Sequence, residues 1–222
     1  MSRASAPQRR VLLTGFDPFN GAVVNPSWQA VQALHNRQIQ GRRIVAAQLP
    51  TVFGDSLRTL DTLLDQLRPE LVICVGQAGG RAALSLERVA INVNDAPIPD
   101  NAGSQPVDTP VAPGAPAAYF STLPIKAALA ALQAEGLLAE VSQTAGTFVC
   151  NHVFYGLMHR LASHPGLRQT RGGFVHVPWL PEQGSPAMAM EDVVRGLRIV
   201  VRTALSGPTL TGAAVVAAGA TH

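Results

Sequence analysis

A cysteine stands where an apolar helical pattern begins. Residues 145–152 read Ala145-Gly146-Thr147-Phe148-Val149-Cys150-Asn151-His152, and apolar side chains recur at Val153, Phe154, Leu157, Met158 and Leu161. That spacing predicts an amphipathic helix from about residue 151. A cysteine at a helix N-terminus feels the positive end of the dipole and nearby unpaired N–H groups. Both favour the thiolate, which is the nucleophilic form of the side chain. A free thiol with pKa about 8.5 is only slightly ionised near neutrality, so catalysis needs that pKa lowered or a base alongside.

Two histidines compete for the role of base. Gly173-Phe174-Val175-His176-Val177-Pro178 reads as a strand that ends in a histidine and a breaker. A lone histidine between valines is more often a core or rim residue, but a strand end opening onto a loop suits a catalytic imidazole. His152 is two residues from Cys150. Side chains at that offset splay apart around a helix, which makes direct pairing awkward and favours a structural role. His35, His159 and His164 occupy polar or helix-end positions and read as surface residues. Glu87 lies in the apolar stretch Leu84-Ser85-Leu86-Glu87-Arg88-Val89. A carboxylate there is costly unless paired. Arg88 is the plain partner; the functional alternative has Glu87 orienting His176 and stabilising its cation.

Strand-like and helix-like segments alternate around these residues. Strands are predicted at Val11 to Thr14, Arg43 to Leu49, Leu71 to Val75 and Gly173 to Val177, with extended chain from Leu84 to Val93 and a strand edge near Val141. Helices are predicted from Ser27 to about Leu34, Asp55 to Leu67, Ile125 to Gln133 and Met190 to about Leu205. Asn25 or Ser27 caps the first helix, Pro69 ends the second and Gly136 closes the third. The alternation predicts an α/β fold with a mostly parallel sheet covered on both faces. Ligand sites in such sheets lie outside the carboxyl ends of the strands, where Gly15-Phe16, Gly76-Gln77 and His176 would sit. Six prolines between Pro97 and Pro116, without periodicity, mark a long loop. Residues 1–10 read as a flexible basic tail, 11–205 as a single catalytic domain, and the Ala/Gly/Thr-rich 206–222 as a disordered tail.

Composition narrows the classes. The chain has 222 residues, 47% apolar and only 14% charged, enough for one packed domain. Its net charge of +3 comes with no basic run interleaved with aromatics, so nucleic-acid binding is not expected. No run of about 18 apolar residues predicts a membrane span, and no apolar segment before residue 11 suggests a secretory signal. Two cysteines do not make a disulfide scaffold. Cys74, inside an apolar run, reads as a small buried hydrophobe, and a cytoplasmic home is expected. The turn Gly76-Gln77-Ala78-Gly79-Gly80-Arg81 lacks the spacing of a dinucleotide or phosphate loop. Cys150 and His152 alone do not make a metal site.

Several blocks together resemble the pyroglutamyl-peptidase I family of cysteine peptidases. They are Leu13-Thr14-Gly15-Phe16-Asp17-Pro18-Phe19 with Asn25-Pro26-Ser27, Gly76 to Arg81, Glu87 to Asn92, Ile98-Pro99-Asp100-Asn101, Gly146 to Tyr155 and Phe174 to Pro178. The similarity runs from about Val11 to Leu205. It implies a three-layer α/β/α sandwich with an open sheet. It implies removal of N-terminal pyroglutamate from peptides without metal or cofactor, and commonly a homotetramer. It makes Cys150 the nucleophile, His176 the general base and acid, and Glu87 the third member of a triad. It places Phe16, Phe19, Asn25, Gln77, Ile98 and Val149 at the pyroglutamate pocket, with Asp100 in support. The family often has arginine where this sequence has Pro97, so a supporting contact from the Pro-rich loop is not carried over. Two other readings remain open: a nucleoside phosphorylase-like α/β enzyme, and a binding module without turnover.

Overall fold

The computed structural model describes residues 9–206 and 217–219. Nine strands and five α-helices alternate along them. The main sheet contains β1 (Arg10–Phe16), β2 (Gln38–Ile39), β3 (Arg42–Leu49), β4 (Leu71–Gln77), β5 (Leu84–Glu87), β8 (Ala139–Ser142) and β9 (Arg171–Val177), in the order β2-β3-β1-β4-β9-β5-β8. β6 (Val89–Ile91) and β7 (Ala118–Phe120) form a separate two-stranded sheet. The helices are α1 (Pro26–Ala33), α2 (Asp55–Leu67), α3 (Ile125–Ala134), α4 (Val149–Ser163) and α5 (Met190–Ser206).

β3, β1, β4 and β9 run parallel, as do β5 and β8, but β5 meets β9 antiparallel. The central strands β1, β4 and β9 are apolar almost throughout and buried on both faces, as parallel strands covered by helices must be. One face carries a core with side chains from α1, α3 and α5, including Ala30, Leu129 and Val200. The other carries Leu60 and Leu64 of α2 and Val153, Phe154 and Leu157 of α4. This is the expected α/β/α sandwich.

The differences lie at short elements and boundaries. The extended segment expected over Leu84 to Val93 is two strands in two sheets, β5 and β6, divided at Arg88. α4 starts at Val149, two residues before the periodic pattern suggests. Arg10 already belongs to β1, and the Arg9 carbonyl accepts a hydrogen bond from the Arg43 amide, so the expected basic tail ends earlier than residue 10. Residues 1–8 of that tail, and most of the 206–222 segment, lie outside the described residues. Ala218 is described: it packs against the α1/α3/α5 core, and its carbonyl accepts a hydrogen bond from Arg88 at 3.1 Å.

Candidate active site

β4 and β9 carry the site at their C-terminal ends. Their register sets Gly76 beside His176. A side chain on Gly76 would meet the sulfur of Cys150: an added Cβ would stand 2.8 Å from Sγ and 2.8 Å from the Phe174 ring. Glycine therefore lets the cysteine at the start of α4 reach the strand end where the histidine sits. Phe174, two residues earlier on β9, packs against the imidazole with ring centroids 4.8 Å apart.

His176 is 4% exposed, and its Nδ1 lies 2.8 Å from Oε1 of the fully buried Glu87. β5 runs against β9 with Ser85 opposite His176, which brings the end of β5 to the imidazole. Arg88 is not the carboxylate's partner, because its guanidinium points to the Ala218 carbonyl. Arg81 takes that place, with Nη1 at 2.9 Å from the same Oε1. It also reaches the hydroxyl of Ser142 and the carbonyl of Thr144, at the far end of β8. Glu87 thus holds an imidazole and a guanidinium on Oε1, which offsets part of the cost of burying the carboxylate, while Oε2 is buried without a hydrogen-bond partner among the described residues.

Cys150 is the second residue of α4. The cap residue Phe148 has extended backbone and supplies no side-chain cap, so the first-turn N–H groups keep their donor capacity for other acceptors. The loop before it is fastened: Asp95 N donates to Thr147 O, and the Thr147 hydroxyl to Asp95 O. Asn151 ties the helix start to β6, accepting from Ile91 N and donating to the Ile91 and Val93 carbonyls. Sequence reasoning expects a thiol lowered by the helix dipole. Instead burial pushes it up to about 12, with the Glu87 carboxylate adding to that push and Arg81 opposing it. A thiol raised in this way would need a base to take its proton before it could act as a nucleophile. Cys74 is fully buried, is also pushed up to about 12 by burial, and is the inert core thiol expected.

His152 has the structural role foreseen for it. Its Nε2 accepts from Gly54 N at 3.0 Å, so Nδ1 carries the proton and donates to Asn94 Oδ1 at 2.9 Å. Burial lowers its pKa to about 4. Asp100 is buried and accepts from three amides, those of Phe53, Ala102 and Ser104, which locks the 51–54 turn to the Pro-rich loop.

The residues assigned to the pocket by resemblance divide by environment. Phe19 packs against Phe148 at 6.1 Å, and Phe148 meets Phe53 edge-on at 5.5 Å. Val149 is fully buried in the same core cluster. Phe16, 2% exposed and 6.4 Å from Phe174, forms floor rather than open wall. Asn25 is spent as the α1 cap, accepting from the amide and hydroxyl of Ser27 and donating to Asp17 O. Ile98 is partly buried just before Asp100. Gln77, Phe19 and Trp179 line a cleft of about 730 Å³ outside the strand ends. Trp179 and Arg81 were not singled out from sequence. For Arg81 the only signal was its place closing the glycine-rich turn that follows β4. Among the described residues, no group of three or more metal-ligating side chains occurs.

Comparison with known proteins decides the family. The family model for pyroglutamyl peptidases matches residues 9–207. The chain belongs to this family. It is an enzyme, a cysteine-type peptidase. It is 62% identical over 200 residues to pyrrolidone-carboxylate peptidase 1 of Ralstonia nicotianae, covering 88% of this chain and 92% of that one. It is 60% identical to pyrrolidone-carboxylate peptidase of Cupriavidus necator, covering 89% and 94%. The crystal structure of pyroglutamyl peptidase I from Bacillus amyloliquefaciens superposes with a TM-score of 0.87 at 48% identity, covering 90% of this chain and 98% of that one. A mutant pyrrolidone carboxyl peptidase from Pyrococcus furiosus gives 0.85 at 38%, covering 89% and 98%. Membership of a pyroglutamyl peptidase family sets aside both the phosphorylase-like and the non-catalytic readings.

Proposed function

We propose that this peptidase removes N-terminal pyroglutamate from peptides, with Cys150 as nucleophile, His176 as general base and then acid, and Glu87 orienting the imidazole. The observation that carries this is the buried Glu87–His176 contact of 2.8 Å at the strand end where Gly76 makes room for the cysteine sulfur. Glu87 accepting Nδ1–H leaves the Nε2 lone pair free to take the thiol proton. That transfer matters here because the resting thiol is pushed up to about 12. The thiolate adds to the pyroglutamyl carbonyl, and the imidazolium returns its proton to the departing amine as the C–N bond breaks. Water, deprotonated by His176, then cleaves the thioester and releases pyroglutamate. The uncapped N–H groups at the start of α4 receive the oxyanion.

The lactam is flat and uncharged. The Phe19, Phe148 and Phe53 rings offer aromatic walls for its faces, over the Phe16 floor. Ile98 adds apolar contact over the buried Val149, backbone groups of Gln77 at the end of β4 stand near enough to read the lactam's polar edge, and Asn25 and Asp100 hold the surrounding loops. A site that hydrogen-bonds the lactam carbonyl rejects proline, which lacks it, by leaving a polar group unpaired. Neither a cofactor nor a metal enters this scheme. The family resemblance supports a homotetramer working in the cytoplasm; among the described residues no helix is long and apolar enough to cross a membrane. Light scattering at working concentration tests the tetramer.

A fluorogenic pyroglutamyl-amide assay tests the chemistry. Turnover is expected, with loss after iodoacetamide and no cleavage of the prolyl analogue. Turnover that survives complete alkylation of Cys150, or equal cleavage of the prolyl amide, would contradict the reading.

A further inference from the structure

The cleft lies on the opposite side of the sheet edge from the cysteine. Side-chain alternation decides this. On β4, Cys74 belongs to the core under α2 and α4, and Gly76 shares that face, where it meets Sγ of Cys150. Val75 belongs to the core under α1, α3 and α5, and Gln77 follows its parity. On β9, Phe174 belongs with the first core, and Val177 with the second. The strand ends and the chain beyond them build the cleft: Gln77 at the end of β4 and Gly79 after it, Trp179 after β9, and Phe19 to Val24 between β1 and α1. Phe19 serves both sides, because it lines the cleft and also packs against Phe148 near the start of α4.

We propose that this cleft receives the side chain of the substrate's second residue, the one that departs with the new amino terminus, and that it favours large apolar or aromatic side chains. The proposal rests on the pyroglutamyl-peptidase reading. With the lactam against Phe148 and Val149 on the α4 side, a peptide whose scissile carbonyl sits at Cys150 crosses the strand ends and continues over the α1 side. There it meets Phe19, Val23, Val24 and Trp179. The Trp179 indole lies against the backbone of Gly79, where an added Cβ would come within 2.3 Å of its ring atoms. The cleft is held open in advance by Gln183, whose Oε1 accepts from Leu180 N at 3.0 Å and whose amide reaches the Val24 carbonyl and Gln77 Oε1, each at 3.4 Å. Val23 stands at its lip, 90% exposed. Its lining contains no lysine or arginine and one acid, Glu182, which disfavours an acidic second residue.

The test compares kcat/KM for pyroglutamyl-phenylalanine amide, pyroglutamyl-glycine amide and pyroglutamyl-aspartate amide, together with inhibition by free 2-pyrrolidone as a lactam probe. The unaltered enzyme is expected to prefer phenylalanine over glycine by about tenfold, the scale set by filling an apolar pocket, with aspartate poorest. Trp179→Ala should lower the phenylalanine-to-glycine ratio severalfold while the 2-pyrrolidone inhibition constant moves less than twofold. Val23→Asp, at an exposed lip position, should do the same and keeps the test readable if the tryptophan variant folds poorly. Equal rates for phenylalanine and glycine, or a ratio unchanged in Val23→Asp, would overturn the proposal. Weakened 2-pyrrolidone inhibition in the variants would overturn it in another way, by giving the cleft to the lactam. No turnover of any of the three peptides would refute the underlying reading of the enzyme itself.

Discussion

His152 and His176 are buried almost equally, at 5% and 4% exposure, yet their surroundings suit them to opposite duties. His152 faces an amide oxygen on Nδ1 and a backbone N–H on Nε2. Both neighbours fit the neutral ring, and a second proton would displace the Gly54 bond. His176 faces a carboxylate on Nδ1, and that carboxylate is itself held by Arg81. A proton arriving at Nε2 then makes an imidazolium beside a negative charge. Burial alone therefore does not make a histidine inert or reactive; the group across from Nδ1 does.

Breaking the reactive site gives the largest expected effect. His176→Ala should lower kcat/KM by about 10³-fold or more, within reach of a lost general acid–base, and, because it takes a partner from the buried Glu87, it should also cost some stability, so the rate is read on folded protein. A loss under tenfold would put the base elsewhere. Glu87→Gln keeps the shape and removes the charge. It should cost less than His176→Ala, about 10²-fold, within the range of a perturbed general acid–base. An unchanged rate would reduce Glu87 to an anchor for Arg81.

Breaking the inert site should cost stability instead. His152→Ala leaves Gly54 N and Asn94 Oδ1 without their partner, worth about 1–3 kcal/mol, with activity reduced far less than in His176→Ala. Loss of activity at unchanged stability would reverse the assignment. The smallest effect is in pH. Burial lowers the folded pKa of His152 from 6.5 to about 4. Below 6.5 the unfolded chain takes up a proton that the folded chain refuses, so stability is present above 6.5 and is lost as pH falls toward 4. Denaturant unfolding at pH 7 and pH 5 should show that decline, and His152→Gln should flatten part of it. Parallel pH dependence in the two proteins would contradict the account.

Much of this contrast was legible in the sequence. The apolar runs of β1, β4 and β9 and the leucine stripe of α2 are long enough to carry their own periodicity, and the family blocks imply the roles proposed for Cys150, His176 and Glu87. The role of His152 followed from its offset on the helix. What failed was non-local or short. Arg88 adjoins Glu87 in sequence, but the break between β5 and β6 sends it to Ala218, and Arg81 arrives from the turn after β4. β2, with two residues, and β7, with three, have too little length to show a pattern. The thiol's direction was misread because helix geometry is local, whereas burial and the Glu87 charge come from the assembled sheet.

The coupling of sulfur, imidazole and carboxylate is tested most directly by the rate of iodoacetamide alkylation of Cys150 against pH, compared with His176→Ala. Cys74, fully buried, should stay silent in both. If His176 takes the thiol proton, the unaltered enzyme should react near neutral pH, and His176→Ala should react there far more slowly and recover only as the solution becomes strongly alkaline. Superimposable profiles would contradict the account.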